Sequence, residues 1–560
     1  MGDLSIPGAL HAAFVRSPYA HARIGRIDVS RALAAPGVVA ALTPDEVMAQ
    51  TDPFAQVIRP PYDKMIDYAL ATDTARHVGE AVAVIVAETP YLAADAAELV
   101  DVEYEPLTPV VDGPTAARPD SPRIHANLPS NIAWGESFQF GDVAEAFRQA
   151  DLIVSDRLTW HRFTSAPLET TSIIASVEAG SGMTTIWSNS QEPIRNSPIV
   201  LNSLRMTSDN LRFICPDIGG GFGIKCNIYP YLVALVLLAR KTGRPVKWVE
   251  TRREHLLSST HGQEIVYEGE MAIRKDGRIL GLRATAIHDE GAYMRREPVG
   301  ALMFIRHATV GYKIASLDME IQAVVTNKSP VGPNRSYGKM QQCYLIERLI
   351  DQGARRLGLD PAEVRLRNFV QPDEMPYQDI TGRRLDGGDY PGMLNRMLEI
   401  VGYDARKVER TEARASGRLI GIGVAMGMDA CPVDAAMRRL VTGKPAGTSG
   451  DSEAASVNID EFGRITASTG SVPQGQGFET SVAQLVADGL GVTPDDVHVL
   501  RGFDSATHAH TAFSGTYGSR FAIVGAPAVV GAAQKVALKI RQIAGHLLEV
   551  SPDEIELVDG

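Results

Sequence analysis

Apolar residues in this chain fall in short runs broken by glycine, proline and charge. His77-Val78-Gly79-Glu80-Ala81-Val82-Ala83-Val84-Ile85-Val86 ends in an unbroken small and β-branched run, which predicts a buried strand. Tyr91 to Leu99 is alanine-rich and predicts a helix, and Val102-Glu103-Tyr104-Glu105 alternates as an edge strand does. Leu211 to Ile214 predicts a strand, and Tyr231 to Arg240 a helix. Alternation in Ala455 to Ile459 and in Ile465 to Ser468 predicts strands, while Val482 to Leu490 and Ala526 to Leu548 predict helices. Asp360-Pro361-Ala362-Glu363, Thr493-Pro494-Asp495-Asp496 and Ser551-Pro552-Asp553-Glu554 each place a capping side chain before proline and acid, which predicts three helix starts. Pro106, Pro109, Pro114, Pro119 and Pro122 mark a linker, with a boundary near 112–130. Residues 378–418, rich in charge and glycine, predict a connection between two later halves. The resulting division is 1–115, 125–370 and 390–560.

With 560 residues the chain is long enough for several domains with large cores. Its net charge of −12 argues against nucleic acid as the main partner, because phosphate binding needs a basic face. The cysteines Cys215, Cys226, Cys343 and Cys431 form no Cys-x-x-Cys pair, so no zinc or iron–sulfur ligand set is legible. Scarce thiols fit a reducing compartment. The start, Met1-Gly2-Asp3-Leu4-Ser5, has no basic region followed by an apolar one, and the longest aliphatic run, Tyr231 to Ala239, is too short to span a bilayer. The expectation is a cytoplasmic protein without a membrane partner. His508 and His510 could share a strand face, but no third ligand stands at a convincing spacing, and no metal site is assigned to protein side chains.

The densest chemical signal is Gly219-Gly220-Gly221-Phe222-Gly223-Ile224-Lys225. Four glycines in five positions uncover backbone N–H groups, and a bulky Phe stands among them where a plain turn needs none. Such a loop between a strand and a helix suits an anionic or highly polar cofactor; a tight connection or bulge is the plainer alternative. Three further blocks accompany it: Ser188-Asn189-Ser190-Gln191-Glu192-Pro193, Gly475-Gln476-Gly477-Phe478-Glu479-Thr480 and Gly515-Thr516-Tyr517-Gly518-Ser519-Arg520.

Together these blocks resemble the molybdenum-cofactor-binding large subunit of the xanthine dehydrogenase and aerobic carbon monoxide dehydrogenase family. The resemblance begins at Leu10-His11-Ala12-Ala13-Phe14-Val15-Arg16-Ser17-Pro18-Tyr19-Ala20-His21-Ala22. It continues through Gly243-Arg244-Pro245-Val246-Lys247-Trp248, Glu347-Arg348-Leu349-Ile350-Asp351 and Arg365-Leu366-Arg367-Asn368. It implies an α+β architecture: an N-terminal α/β hammerhead domain, then a mixed α/β molybdopterin-binding region whose second domain is incomplete. It implies cofactor contacts at Gly220, Gly221, Phe222 and Gly223, and places Gln191 beside a metal oxo group. It implies further contacts at Gly475, Gln476, Gly477, Thr480, Thr516 and Ser519, with Arg520 available to pair with a pyrophosphate. The implied cofactor is molybdopterin cytosine dinucleotide with molybdenum, with 2Fe-2S clusters and FAD on partner subunits.

Pro333-Asn334-Arg335-Ser336-Tyr337-Gly338 matches the family's active-site loop, which implies Arg335, Ser336 and Tyr337 near the substrate. Ser336 stands where carbon monoxide dehydrogenases have Cys, and a copper site needs that thiolate. Cys226 stands where purine-oxidising members have a substrate-binding Glu; it is either a pocket residue or core packing. Cys343 reads as packing. The family's general-base Glu, in a Gly-x-Gly-Glu block, has no match before Asp559-Gly560, and Gly79-Glu80 belongs to the hammerhead. The expectation is a second chain that carries this Glu, with a heterocycle, aldehyde or activated C–H compound as substrate. A molybdenum-dependent hydratase and a non-catalytic paralogue are the alternatives.

Overall fold

The computed structural model describes residues 1–54, 65–295, 299–429, 451–558 and 560. Two sheets carry the architecture. The larger has eight strands in the order Phe503–Asp504, Leu211–Cys215, Thr184–Ser188, Ser172–Val177, Val246–Val249, Leu10–Arg16, Ala81–Ala87 and Val38–Leu42. Leu10 pairs with Val246 in parallel, and Ile214 pairs with Asp504 antiparallel. Segments far apart in sequence are therefore joined by one hydrogen-bond ladder. Ala81–Ala87 is buried at every position, as its unbroken apolar run requires.

The helix Tyr229–Thr242 packs on this sheet, against Ser172–Val177 and Val38–Leu42. Leu232 to Ala239 are all buried, which explains an apolar run too short for a membrane. The helix ends at Gly243, whose φ of +64° supplies the left-handed turn after Thr242.

The second sheet orders Ile132–Phe140, Leu317–Val324, Ile279–Asp289, Glu264–Ile273 and Leu152–Trp160. The helix Lys339–Leu357 packs across its last two strands. Cys343 is buried in that helix, as packing. A small sheet of Ala455–Ile459, Ile465–Thr469 and Val497–Val499 carries the helices Phe478–Leu490 and Ala526–Leu548. The latter buries Val529, Ala533 and Ala537 and leaves Leu538, Ile543, Leu547 and Leu548 exposed. Phe521–Leu548 is long and apolar enough to cross a membrane by length and composition alone.

Two expectations change. The starts at Thr493 and Ser551 yield only the single 3-10 turns Pro494–Asp496 and Pro552–Glu554. After the first, Val497-His498-Val499 joins a strand, so sheet pairing overrides the cap. The connection at 378–418 contains the helices Tyr390–Val401 and Tyr403–Ala415. Asp389 caps the first, and Gly402, at φ +63°, ends one helix and opens the next. Cys431 lies outside the described residues.

A buried ion pair ties the helix Pro361–Asn368 to the helix Lys339–Leu357. Arg365 Nε donates to Glu347 Oε2 at 2.7 Å, and Tyr312 Oη donates to Glu347 Oε1 at 2.6 Å. Arg365 is fully buried, and its second carboxylate partner is Asp351 at 2.9 Å, so removing Glu347 leaves a buried charge with one counter-ion of two and Tyr312 Oη without its acceptor. Glu347→Ala is expected to destabilise the protein by about 2 kcal/mol in urea unfolding, because Asp351 still pairs with Arg365 while Tyr312 Oη loses its acceptor. A change below about 0.5 kcal/mol, the size typical of surface substitutions, would contradict this account of the pair.

Candidate active site

Gln191 joins three loops. Its backbone N–H donates to Lys225 O at 3.3 Å, and its side-chain Oε1 accepts from Gly223 N at 2.7 Å. Its Nε2 donates to Thr516 O at 3.0 Å, and its own carbonyl accepts from Thr516 N at 2.9 Å. Gln474 Nε2 reaches the same Thr516 carbonyl at 3.2 Å, and Thr516 Oγ1 donates to Val472 O at 2.6 Å. The loops following Thr184–Ser188, Leu211–Cys215 and Ile465–Thr469 thus converge with residues 515–520 on one carboxamide.

The glycines explain how closely these loops approach. A Cβ at Gly221 would lie 2.5 Å from both Gln191 Oε1 and Gln474 Oε1. At Gly223 a Cβ would lie 2.6 Å from Pro333 O, and φ is +104° there. Gly223 cannot carry a side chain, and one at Gly221 would have to push aside the Gln191 and Gln474 carboxamides. Glu169 anchors the loop from behind: its Oε2 accepts from Gly219 N at 2.8 Å and from Lys225 Nζ at 3.0 Å. Burial alone would raise the Glu169 carboxyl. Lys225, helped by the Met1 amine and Asn189, outweighs burial and holds it at about 2.

The converging loops enclose a cavity of about 480 Å³. Gln191, Phe222, Gly223, Gln476, Thr516, Ser519 and Arg520 line it, with Arg335, Ser336 and Tyr337 on a facing wall. Gly220 and Gly221 shape the loop behind Phe222 but are not on the wall. Gly475, Gly477 and Thr480 are exposed and also lie off it. Cys226 is fully buried in the 3-10 turn Ile224–Cys226 and does not reach the cavity, so packing is its role here. His508 and His510 lie elsewhere, and no His/Cys/Asp/Glu group able to hold a metal occurs among the described residues.

Arg520 lies on this wall but is tied largely to the protein itself. Its side chain is 1% exposed, and Nη1 donates to Glu453 Oε2 at 2.6 Å and to Gly515 O at 3.1 Å. Both Nη atoms bond within the protein, Nη2 to Ser452 O, which locks residues 515–520 to 451–453 and leaves Nε without a hydrogen bond. Glu453 also accepts from Ser471 Oγ at 3.1 Å and from Ser514 Oγ. The sequence offered no signal for this clamp, because Glu453 lies 67 residues from Arg520.

Several wall residues were not anticipated: Glu192, Arg195, Lys339, Asp429, Phe478, Tyr517 and Phe521. Phe478 and Phe521 stack with centroids 4.1 Å apart, and Lys339 is ion-paired with Asp429. Arg195 lies over the Tyr517 ring, 4.4 Å from its centroid. Arg195 was in principle findable, since it follows Gln191 by four residues at the start of the helix Pro193–Leu204.

Backbone strain gathers at this wall. Of eight non-glycine residues with positive φ among the described residues, Phe222 (+54°), Ser336 (+82°), Tyr337 (+43°) and Ser519 (+50°) all line the cavity. Such conformations cost on the order of 1–3 kcal/mol each and persist only where surroundings enforce them. Ser336 Oγ accepts from Met340 N at 2.8 Å, which compensates part of that cost by capping the following helix.

Glu169 gives a pH test. A folded-state value near 2 lies below the unfolded value of about 4.3. The stability it contributes is therefore complete above the unfolded value and is lost as pH falls toward the folded one. Glu169→Gln should lower the melting temperature at neutral pH, and the gap to wild type should narrow as pH falls below about 4.3. Melting curves across that range check this; a gap that stays constant on acidification would contradict it.

The cavity walls supply amide, hydroxyl and backbone donors, with the cations Arg195, Arg335, Lys339 and Arg520 against the carboxylates Glu192 and Asp429, which fits a polar pterin cofactor that carries phosphate. Comparison with known proteins gives the same direction. Two models described as molybdopterin cofactor-binding domains match residues 124–369 and 396–560. The aldehyde oxidase and xanthine dehydrogenase a/b hammerhead domain matches residues 1–108. The carbon monoxide dehydrogenase large chain of Hydrogenophaga pseudoflava is 33% identical, over 99% of this chain and 70% of its own length. The 6-hydroxypseudooxynicotine dehydrogenase complex subunit gamma of Paenarthrobacter nicotinovorans is 32% identical, over 100% of this chain and 69% of its own length. The crystal structure of quinoline 2-oxidoreductase from Pseudomonas putida 86 superimposes with a TM-score of 0.92 at 33% identity, covering 100% of this chain and 70% of that one. This chain belongs to the xanthine dehydrogenase and aerobic carbon monoxide dehydrogenase family of molybdenum-containing oxidoreductases.

Proposed function

We propose that this chain holds a molybdopterin cytosine dinucleotide in the cavity beside Gln191 and serves a molybdenum hydroxylase. Its substrate is a heterocycle, an aldehyde or another activated C–H compound. The convergence of the Gly219–Gly223 and 515–520 loops on Gln191, with Gln474 bonded to the same Thr516 carbonyl, carries this reading. When bound, the cofactor supplies two-electron oxidation of a C–H bond with water as the oxygen source.

The chain's own residues bind and orient. Gln191 spends one Nε2 hydrogen on Thr516 O and carries a second that can be donated to a cofactor oxygen. Phe222, 45% exposed on its strained backbone, presents an apolar face that excludes water. Arg335 extends from the facing loop, where its fork can orient a substrate. The strained Ser336–Tyr337 backbone fixes that loop, and Ser336 in place of a thiol disfavours a copper-containing centre.

The proton acceptor comes from outside this wall. Its two carboxylates, Glu192 and Asp429, are ion-paired with Arg195 and Lys339. We assign general-base work to a Glu of a Gly-x-Gly-Glu block on a second chain. Electrons leave through iron–sulfur and FAD subunits, the three described cysteines of this chain being buried apart from one another in the fold. The complex is assigned to the cytoplasm.

Purification of the native complex through this chain, with elemental analysis and identification of each co-purifying polypeptide, tests the assembly. The expected result is molybdenum near one per chain, iron on a partner, and a polypeptide carrying the Gly-x-Gly-Glu block. Gly221→Val should bring molybdenum close to zero, since its branched side chain collides with Gln191 and Gln474. Wild-type molybdenum content in that variant would remove the loop from the cofactor site.

Gln191→Ala should lower kcat per bound molybdenum by roughly 100-fold, the cost typical of losing one directed donor. Dividing by bound metal separates this effect from any loss of retention. Unchanged turnover per molybdenum would place Gln191 away from the reacting centre.

A further inference from the structure

Two guanidinium groups flank Tyr517 on the cavity wall, and they differ in how they are spent. Arg520 is 1% exposed and held by Glu453 and by the Gly515 carbonyl. Arg195 is 36% exposed at its side chain, and its ion-pair contact with Glu192 is 3.5 Å. That exceeds the roughly 2.7–2.9 Å of a tight charge-assisted hydrogen bond. Its Cζ lies 4.4 Å from the Tyr517 centroid, against 5.1 Å for Arg520. The Tyr517 ring is itself fixed, its Oη donating to Phe513 O at 2.9 Å.

A guanidinium resting on an aromatic ring is held flat and partly shielded from water, which strengthens its pull on an anion. Of the other cations on the wall, Lys339 is paired with Asp429, and Arg335 belongs to the 333–338 loop that packs against Gly223. Arg195 also sits in the first turn of the 12-residue helix Pro193–Leu204, whose N-terminal field favours a nearby anion.

We propose that Arg195, shelved on Tyr517, is the positioning cation for the phosphate end of the pterin cofactor, a role the sequence pattern had suggested for Arg520. The proposal rests on the reading that this cavity holds that cofactor. Arg195 presents paired N–H donors to phosphate oxygens, Tyr517 limits its swing, and Glu192 holds it in place when the cavity is empty of phosphate. Arg520 is structural: it shapes the Thr516–Ser519 loop by clamping both ends to 451–453.

The test compares cofactor retention in the native complex carrying wild type, Arg195→Gln and Arg195→Lys. Molybdenum and fluorescent oxidised pterin per chain are followed over time at low and high ionic strength. Arg195→Gln should lose cofactor about tenfold faster at low salt, the factor expected for one charge-assisted hydrogen bond. Its loss rate should also respond less to salt than that of wild type, because the screened charge is gone. Arg195→Lys should keep the salt response and part of the retention. Equal retention in wild type and Arg195→Gln, or equal salt response, would overturn the proposal. Melting of the apo-proteins separates a folding defect from lost retention. Should Arg195→Gln not fold, Arg195→Lys decides: faster loss with the salt response kept supports the fork, and wild-type retention overturns it. Acid release of a nucleoside monophosphate from wild type tests the dinucleotide reading separately. Its absence would sink that reading while leaving Arg195 on a phosphate monoester; its presence with retention indifferent to Arg195 would sink this inference alone.

Discussion

The carboxamide of Gln191 is the joint on which the site depends. It is nearly fully buried, and both of its ends are used. Its oxygen holds the glycine loop at Gly223, and its nitrogen holds Thr516. A charged side chain there would need a counter-ion in a buried place, and an apolar one would leave Gly223 N without its acceptor and Thr516 O with Gln474 as its remaining donor. Only a group with a donor and an acceptor at one tip meets both loops. The consequence is geometric: with Gln191 in place, Gly223 is held against the Pro333 carbonyl, where no side chain fits, and a Cβ at Gly221 would have to displace the ends of Gln191 and Gln474. The strained conformations of Phe222 and Ser519 persist because the loops around them are tied.

The sheet gives this joint its rigidity. Strands from residues 10–16, 81–87, 172–177, 184–188, 211–215, 246–249 and 503–504 belong to one ladder. Gln191 and the glycine loop follow adjacent parallel strands of that ladder, Thr184–Ser188 and Leu211–Cys215, which leave the sheet on the same side. Ligand sites commonly form beyond the carboxyl ends of neighbouring parallel strands. The helix Tyr229–Thr242 then buries its apolar length against the sheet and fixes the exit of the loop.

Local signals in the sequence carried the elements that local chemistry decides. Asp360 before Pro361 opens a helix, Ala81–Ala87 is buried on both faces, and Tyr229–Thr242 follows the glycine loop. Elements decided by distant partners were harder. Thr493 makes a proper cap, but the residues after it pair with Ile465–Ala467 and end the helix in one turn. The helix Tyr403–Ala415 was hidden by charge, with Arg406–Glu409 paired on its exposed face, whereas Tyr390–Val401 carries an apolar period at Leu394, Met397, Leu398 and Val401 that the surrounding glycine and charge masked. The loops of the site were legible through glycine and Gln191. The roles of Arg520 and Arg195 were not, because a guanidinium's partner is a matter of three-dimensional distance: Glu453 takes one, and Tyr517 supports the other.

The central claim is that a molybdenum cofactor occupies the cavity between Gln191, Phe222 and the 515–520 loop. Anomalous diffraction at the molybdenum edge from crystals of the native complex tests it directly. The account predicts a single strong peak within this chain, inside that cavity and within hydrogen-bonding reach of Gln191 through the metal's ligands. A molybdenum peak elsewhere in the complex, with this cavity lacking one, would contradict it.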